Sequence, residues 1–405
     1  MNSGVVAGTT PEDTQCPERT VPALGLVALL GNSVMGAVGL LAAGLVLPEL
    51  ANEFSAVPNV ALLAQLVSGV VGAACAVGSP FAGRAIEKYG VRAVYIAGAL
   101  LFAVAGVAPA ILNNLYLILV ARAFLGLAVG AVIVAGTTGI GQLPAKLRAR
   151  MLGYSAVIGG VTAMLVFPLI GQLSRHGWRI AFLPHLIALA LIPFALSLPS
   201  EQSSRIQPAA NAPRTRLRLP VALLPVAGFG GMISFIGPVF SAFYLASIHV
   251  TDPAAIALPL TVGAGFSLLG SAGFGWTFGR LGSSGTFALA FLLVAAGLVI
   301  EGVSPTIGPF VLGAIMGGAG AALLTPNYFA TAVAATGPAG AARAVGLIQF
   351  AMFSTQAVFP FISAPVMHVA GPGMVFIGFG LTALLLGLAY LTDALRHGKG
   401  TAHYR

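Results

Sequence analysis

Charged residues are scarce in this sequence. Asp, Glu, Lys and Arg make up 7% of its 405 residues, whereas 58% of the residues are hydrophobic. Soluble domains carry about 25% charged residues, so the composition excludes a soluble globular chain. The apolar runs are long enough for helices that cross a bilayer, since about 20 residues suffice for one crossing. The sequence therefore predicts an all-α polytopic membrane protein.

Acidic residues are especially few. The chain has ten Asp and Glu residues, and none lies in the middle of a predicted span. Glu49 and Glu301 fall at the outer ends of predicted helices, where we expect them to be solvated. A coupling proton would then need another carrier. His185 is a titratable side chain inside a predicted span, and the alternative is that it is an ordinary packing residue.

Cysteines and ligand-binding motifs are also sparse. Cys16 lies in a polar N-terminal segment and Cys75 in a predicted span, so the two cannot form a disulfide. The three lysines lie outside any glycine-rich phosphate loop, and there is no basic soluble domain for nucleic acid. We therefore expect no metal, no cofactor, no nucleic-acid partner and no enzymatic activity. An intramembrane enzyme is a disfavoured alternative, because the turn "GSSG" at 282–285 has no histidine partner.

What the sequence does contain is a series of apolar segments separated by charges and turn residues. Sixteen of the nineteen Lys and Arg residues fall on one side of the resulting topology and two fall on the other. The positive-inside rule then places both termini in the cytoplasm. Separately from this rule, we expect the chain to lie in the lipid bilayer of the inner membrane as a monomer. The twelve predicted spans are 22–49, 59–82, 92–112, 114–137, 151–173, 179–198, 220–248, 254–278, 285–303, 307–333, 343–369 and 373–392.

The chain also repeats itself. The stretch "GSPFAGRAIEKYG" at 78–90 returns as "GSAGFGWTFGRLG" at 270–282, 192 positions later, and Pro168 and Pro360 show the same offset. A fixed offset indicates a duplicated structural unit. The predicted organisation is a cytoplasmic tail 1–21, a six-helix bundle 22–198, a cytoplasmic linker 199–219, a second six-helix bundle 220–392 and a cytoplasmic tail 393–405.

Three groups of residues carry a family resemblance. Gly83, Glu87, Lys88, Gly90 and Arg92 lie between spans 2 and 3. Arg122 is followed by Gly126 in span 4, and "GWRIAF" stands at 177–182. In this combination the chain resembles the major facilitator superfamily, and in particular its bacterial inner-membrane efflux permeases. The resemblance implies two six-helix bundles and secondary active transport by alternating access.

The same resemblance implies a cytoplasmic latch after span 2. Gly83 and Gly90 permit a tight turn, and Glu87 can pair with a cation or a helix N-terminus of the other bundle. Lys88 and Arg92 hold the loop at the lipid surface. The alternative is a simple tight loop whose charges follow the topology.

Arg122 is the leading candidate for contact with substrate or for coupling. It is predicted roughly 12 Å deep in span 4, where a charge normally faces a cavity or a partner. The alternatives are snorkelling and hydrogen bonds to carbonyls of spans 1 or 2. Asn327 and Tyr328 follow Pro326, which predicts a break in span 10. The fold that the resemblance implies adds these polar candidates for the cavity: Asn32, Gln65, Tyr244, Asn327, Tyr328 and Gln349.

Span 5 bears on the direction of transport. Pro168 and Gly171 match part of the glycine-rich helix 5 of exporters in the family, and with Pro360 they predict bends in helices 5 and 11. Export is therefore favoured, with uptake of a metabolite and a non-transporting sensor as alternatives, and a simple packing kink is the alternative explanation of Pro168. The expected cavity, with one cation and no acid, favours a small amphipathic or anionic molecule. Protons remain a candidate coupling ion, although Asn32 stands in helix 1 where many proton-coupled exporters carry an acid.

Overall fold

The computed structural model describes residues 22–199 and 222–397, and every regular element within them is helical. The predicted tail 1–21 and nearly all of the predicted linker lie outside the described residues, as do residues 398–405. Three short 3₁₀ helices, Gly44–Val46, Ala108–Ala110 and Ile180–Leu186, accompany the α-helices. The α-helices are α1 Ala23–Leu41, α2 Leu47–Glu53, α3 Val60–Val107, α4 Leu115–Gly141, α5 Ala145–Ser174, α6 Ile187–Ala195, α7 Leu223–Ser247, α8 Pro253–Val303, α9 Ile307–Ala370 and α10 Pro372–His397.

Within these ranges, nine helical segments are long and apolar enough to cross a membrane. Two of them, Val60–Ala110 and Pro253–Val303, have 51 residues each. At 1.5 Å per residue such a helix would measure about 75 Å, against about 30 Å for the hydrocarbon layer. Each breaks instead at one glycine with positive φ, Gly90 (83°) and Gly282 (66°). Each long helix therefore supplies two spans, and the total of twelve spans stays a prediction.

The sequence predicted one loop around Gly90 and another around Gly282, and both predictions are wrong. The sequence predicted a loop from 83 to 91, but the helix continues through Glu87 and Lys88 and only Gly90 leaves helical geometry. Glycine adopts this conformation without the clash that a Cβ would make. The chain thus turns between two spans at a single residue, and the following span begins immediately.

Two further expectations also need correction. The structure shows no break at Pro326, because α9 is helical throughout 307–370. The polar side chains there bond to neighbouring helices instead: the Asn327 amide donates to the Ser283 carbonyl and the Tyr328 hydroxyl to the Val226 carbonyl. Conversely, predicted span 6 is not one regular helix, since the 3₁₀ helix Ile180–Leu186 precedes α6.

The 192-residue offset relates whole elements of the two halves. It carries α4 onto Ile307–Thr336 and Arg150–Ser174 onto Arg343–Ala370. It also carries the break at Gly90 onto the break at Gly282. The all-α fold is thus two copies of one helical arrangement, as the sequence predicted.

Contacts between the halves obey the same relation. A Cβ at Gly171 would lie 2.9 Å from that of Ala257. Shifting both residues by the offset, and exchanging the halves, gives the pair Ser363 and Gln65. The Ser363 hydroxyl does donate to the Gln65 Oε1 over 3.0 Å. A contact and its mirrored partner are what a pseudo-two-fold axis between parallel repeats produces.

We call the interface between the two halves, where α5 packs on α8 and α3 on α9, the seam. The seam is closed at one end. We call the end with Gly90 and Gly282 the cation-rich face, and the end with Arg175 and Asp252 the cation-poor face. Towards the cation-poor face, a Cβ at Gly44 would lie 1.9 Å from the Pro238 carbonyl oxygen, so the two backbones touch.

Towards the cation-rich face the seam is open. A Cβ added at any of five glycines near this face would meet no atom within 4 Å, and side chains of α5 and α8 there, including Leu152 and Leu281, are exposed. The structure is therefore open towards the cation-rich face. The five glycines are Gly83, Gly153, Gly275, Gly279 and Gly346.

Candidate functional site

A cavity of about 560 Å³ lies between α5 of the first half and α7, α8 and α9 of the second. Its volume is within the usual range for small-molecule sites, about 300–1,000 Å³. Glycine and alanine supply much of the lining. Because their side chains are small, they leave the space between the helices unfilled here. Most other lining residues are aliphatic, and the polar ones are Ser234, Ser267, Ser271 and Glu301.

The cavity is open at one end and closed at the other. Val157 and Ser271, which line it towards the cation-rich face, are exposed. Phe167, Leu260 and Leu298, which line the remainder, are buried. The cavity therefore opens in the same direction as the seam, and its far end has no route to the cation-poor face while the seam stays closed.

Glu301 lies at this closed end. It stands two residues before the end of α8, and only 5% of its surface is exposed. A Cβ at Gly313 would lie 2.6 Å from the Glu301 Cγ, so α9 packs directly on the glutamate. The expectation that Glu301 is solvated is wrong, because the small residues of α9 let the two helices approach and enclose it. Glycine and alanine at 313–322 are the signal that could have revealed this.

Among the described residues that line the cavity, Glu301 is the only charged one. No donor in the described part of the chain lies within hydrogen-bonding distance of its carboxylate. The prediction was a cavity with one cation, Arg122, and no acid. The described lining has one acid, Glu301, and no cation.

Arg122 lies elsewhere, inside the first half. It is fully buried. Its Nε donates to the Val67 carbonyl over 3.0 Å, and its Nη2 donates to the Gly39 carbonyl over 3.2 Å. These are the contacts of the structural alternative, because they tie α4 to α3 and α1. A role of Arg122 in substrate contact stays a prediction, without support from the cavity lining.

His185 completes the cluster around Arg122. Its Nδ1 lies 2.8 Å from the Phe182 carbonyl oxygen, so that nitrogen carries the proton. Its Nε2 then accepts from the Arg122 Nη1 over 3.5 Å. The imidazole also lies against the Phe102 ring, with 5.3 Å between ring centroids. Both nitrogens thus have partners within the first half, away from the cavity.

The other predicted substrate residues do not line the cavity either. Asn32 is buried against Gly136, and Gln65 bridges the halves at Ser363. The Tyr244 hydroxyl donates to the Ser304 carbonyl over 2.9 Å. As described above, Asn327 and Tyr328 bond to neighbouring carbonyls, and Gln349 is exposed. Their role in transport stays a prediction.

The predicted latch residues lie at the cation-rich face without an ionic partner. Glu87 and Lys88 are exposed, and in the described residues neither forms an ion pair with the other half. The Lys88 ammonium lies 4.9 Å from the centre of the Tyr89 ring. Gly83 and Arg92 are half-buried. With the seam open at this face, the other half is out of reach, and the latch stays a prediction about a closed state.

An ion pair joins the halves at the opposite, cation-poor face. The Arg175 Nε donates to the Asp252 Oδ1 over 2.9 Å, and its Nη2 donates to Oδ2 over 2.8 Å. The Gln172 side chain accepts a third bond from Arg175. The hydrogen bond from Arg175 lowers the pKa of Asp252 below its usual 3.8. The sequence offered no pattern that would have paired these two residues.

The motif "GWRIAF" has its own role at this face. The Trp178 indole and the Arg179 guanidinium donate to the two carboxylate oxygens of Glu53, at the end of α2. Arg179 also donates to the Asn113 side chain over 2.8 Å. The motif therefore joins three loops of the first half and leaves the seam between the halves untouched.

Two pseudo-symmetric helical halves around a one-sided cavity define a class of polytopic membrane proteins built from parallel repeats. The family model described as Major Facilitator Superfamily matches residues 26–283, more than half of the chain. The chain belongs to the major facilitator superfamily.

Individual relatives agree with this assignment. The minor myo-inositol transporter IolF of Bacillus subtilis (strain 168) is 33% identical over 154 residues, which cover 37% of this chain and 34% of that protein's length. A peptide transporter POT in complex with sulfate has a TM-score of 0.74 at 15% identity, covering 94% of this chain and 96% of that chain. The xylose transporter XylE from E. coli, in a partially occluded inward open conformation, has a TM-score of 0.69 at 17% identity, covering 94% and 98%. These structures are similar in fold.

Proposed function

We propose that this protein is a secondary active transporter that moves a small amphipathic organic molecule by alternating access. The observation that carries the proposal is the cavity between α5 and the second half, open towards the cation-rich face and closed towards the cation-poor face. In a duplicated fold of this kind, one half rocks against the other around a central site. The present arrangement is then one of the two end states.

The seam contacts suit such a motion. At the cation-poor face the halves meet through backbone contacts at Gly44 and Gly171 and through the exposed pair of Arg175 and Asp252. Small residues at an interface let helices separate and return without repacking bulky side chains. In the opposite state the predicted latch at Glu87 and Lys88 would close the cation-rich face instead.

The lining bears on the substrate class. A largely aliphatic wall with a few hydroxyls favours a molecule with both apolar and polar parts. An anionic substrate, which the sequence favoured through Arg122, loses its support because that side chain is held in the first half. A neutral polyol is the second candidate, on the ground that one relative is named a myo-inositol transporter.

Direction, coupling and location are further parts of the proposal. Export stays a prediction from helix 5, and uptake stays its alternative; one structure of similar fold is titled a D-xylose-proton symporter. Protons are the proposed coupling ion. The excess of cations on one face supports placement in an inner membrane with the cation-rich face in the cytoplasm.

The test is transport by the purified protein in proteoliposomes. A metabolite panel that includes myo-inositol and xylose is first screened for thermal stabilisation, and the compounds that stabilise are then offered with a radiolabel. We expect saturable flux that protein-free liposomes lack and that a pH gradient changes. Panel-wide flux equal to that of protein-free liposomes would contradict the proposal. Comparing internal substrate in cells with and without the gene then gives the direction, since lower levels with the gene mean export.

A further inference from the structure

We propose that Glu301 is the binding site for a protonated amine, at the closed end of the cavity between α5 and the second half. The ligand class is a small organic ammonium with an apolar body. This inference rests on the proposed transport function and narrows its substrate class. It starts from one geometric fact: the Glu301 side chain is 95% buried on the wall of a cavity whose other described lining residues carry no charge.

A buried carboxylate needs compensation. Burying an ionised group without a partner is costly, and folded proteins pair such groups or provide hydrogen bonds. In the part of the chain that the structure describes, no cation and no hydrogen-bond donor contacts the Glu301 side chain. Gly313 packs against it, and Ala314 and Leu298 line the same cavity. Either a bound proton or a cation from outside the protein must therefore compensate the carboxylate.

In the first half, side chains fill the region that corresponds by the 192-residue offset to the cavity of the second half. The offset relates Ala314 on the cavity wall to Arg122, and Val294 to Phe102. In the first half Arg122, Phe102 and His185 occupy this volume in mutual contact. In the second half Ala314 and Val294 on the cavity wall replace Arg122 and Phe102. The counterpart of His185 is the apolar Ile377, and a cavity remains. One copy thus encloses its own cation, while the other has a space beside a carboxylate.

The rest of the lining selects an organic cation over a metal ion. A hard cation such as Ca²⁺ requires six to eight oxygen ligands, and among the described residues no group of three or more His, Cys, Asp or Glu could hold a metal. An alkylammonium brings an apolar body that the aliphatic wall can solvate. Its N–H groups form charge-assisted hydrogen bonds to the carboxylate.

The test uses three probes of nearly equal shape: cyclohexylammonium, cyclohexanol and cyclohexanecarboxylate. Each is titrated against the purified full-length protein in detergent, and the thermal unfolding midpoint is recorded. We expect the ammonium probe to raise the midpoint in a saturable way, the alcohol to act weakly and the carboxylate not at all. Equal shifts from all three probes, or no shift from the ammonium, would overturn the proposal.

Variants locate the binding. Glu301→Gln keeps the shape and removes the charge, and we expect it to weaken ammonium binding about tenfold or more. Glu301→Asp keeps the charge and should retain part of the binding, which a merely structural role of the glutamate would not predict. Glu49→Gln is the matched control, because it removes a half-buried carboxylate outside the cavity lining and should bind as the wild type does. Unchanged binding by Glu301→Gln would also overturn the proposal.

This result is independent of the transport test. If a compound of the panel is transported but cyclohexylammonium does not bind through Glu301, transport stands and the ammonium site falls. If the ammonium binds through Glu301 and no compound crosses the bilayer, the site stands and the proposed transport falls.

Discussion

At the scale of single residues, Arg122 and Glu301 are two buried charges with opposite circumstances. Arg122 has its partners within the protein, at two backbone carbonyls and one imidazole. Glu301 has a cavity in front of it and small residues behind it. The first charge therefore contributes to the stability of its half, whereas the second is available to a ligand.

Replacement of Arg122 tests its structural role. Arg122→Ala removes hydrogen bonds from a charged donor to two buried carbonyls and leaves a void, so we expect a loss of about 3 kcal/mol in the free energy of unfolding. The measurement is unfolding by SDS titration in mixed micelles. Arg150→Ala is the control, because Arg150 is exposed and, among the described residues, contacts the Tyr154 side chain alone. Wild-type stability combined with lost transport would instead support contact between Arg122 and the substrate.

Sequence reasoning at this scale found Arg122 but not its partners. An arginine deep in a span is conspicuous because charges there are rare, and hydrogen bonds to spans 1 or 2 were among the alternatives. Glu301 escaped because its distance from the helix end suggested solvent. Its burial depends on how closely α9 packs on α8. The pattern of either segment alone does not give that distance.

At the scale of elements, the ion pair between Arg175 and Asp252 connects the end of α5 to the start of α8. Because the pKa of Asp252 is lowered in this pair, the pair is complete above the ordinary pKa of 3.8 and is lost as the pH falls through the lowered value. Acid applied to the cation-poor face should therefore loosen the seam, and neutral pH should keep it closed.

Spin labels measure this opening. Cysteines at His176 and His249, two exposed positions on either side of the seam, carry the labels in a Cys16→Ser background. We expect a single short distance at pH 7 and a growing population of longer distances below pH 3.8. In Asp252→Asn the longer distances should already be present at pH 7 and should not depend on pH in this range. Identical distance distributions for wild type and Asp252→Asn would show that the pair does not hold the seam.

Helix positions were largely predictable because the length of each apolar run can be read directly from the sequence. The breaks were harder to predict. The glycines at 90 and 282 belonged to the repeated stretch, yet the expected loops around them shrank to one residue each. The predicted kink at Pro326 is missing because the neighbouring helices support α9 on both sides. Glycine and proline in the sequence indicate where a helix can bend or break. Whether it does so depends on its tertiary contacts.

At the scale of the whole molecule, the mirrored contacts between the halves make a prediction about motion. If the halves rock as bodies, then fixing either contact of the pair Gly171 with Ala257 or Gln65 with Ser363 should stop the cycle. A Cβ at Gly171 would lie 2.9 Å from the Ala257 Cβ and 2.9 Å from the Pro253 carbonyl oxygen, whereas a disulfide needs about 3.5–4.5 Å between the two Cβ atoms. A disulfide at this pair therefore requires the two helices to move slightly apart.

Cysteines at Gly171 and Ala257 form one test protein, and cysteines at Gln65 and Ser363 form the mirrored one. In proteoliposomes we expect oxidation to stop transport by each and a reducing agent to restore it. The single-cysteine variants serve as controls and should be insensitive to the oxidant. A fully oxidised protein that transports at the reduced rate would contradict rocking about this seam.

The two halves share an ancestry but not an interior. In the first half, Arg122, Phe102 and His185 make a solid body, while the second is hollow at the equivalent positions. Mutations that reshape the hollow half meet an empty space and leave the solid half intact. Changes of cargo during evolution should therefore accumulate mainly in the second duplicate, while α5 of the first supplies one wall of the cavity. A chimera that exchanges only residues 223–397 between two relatives should then acquire most of the donor's preference.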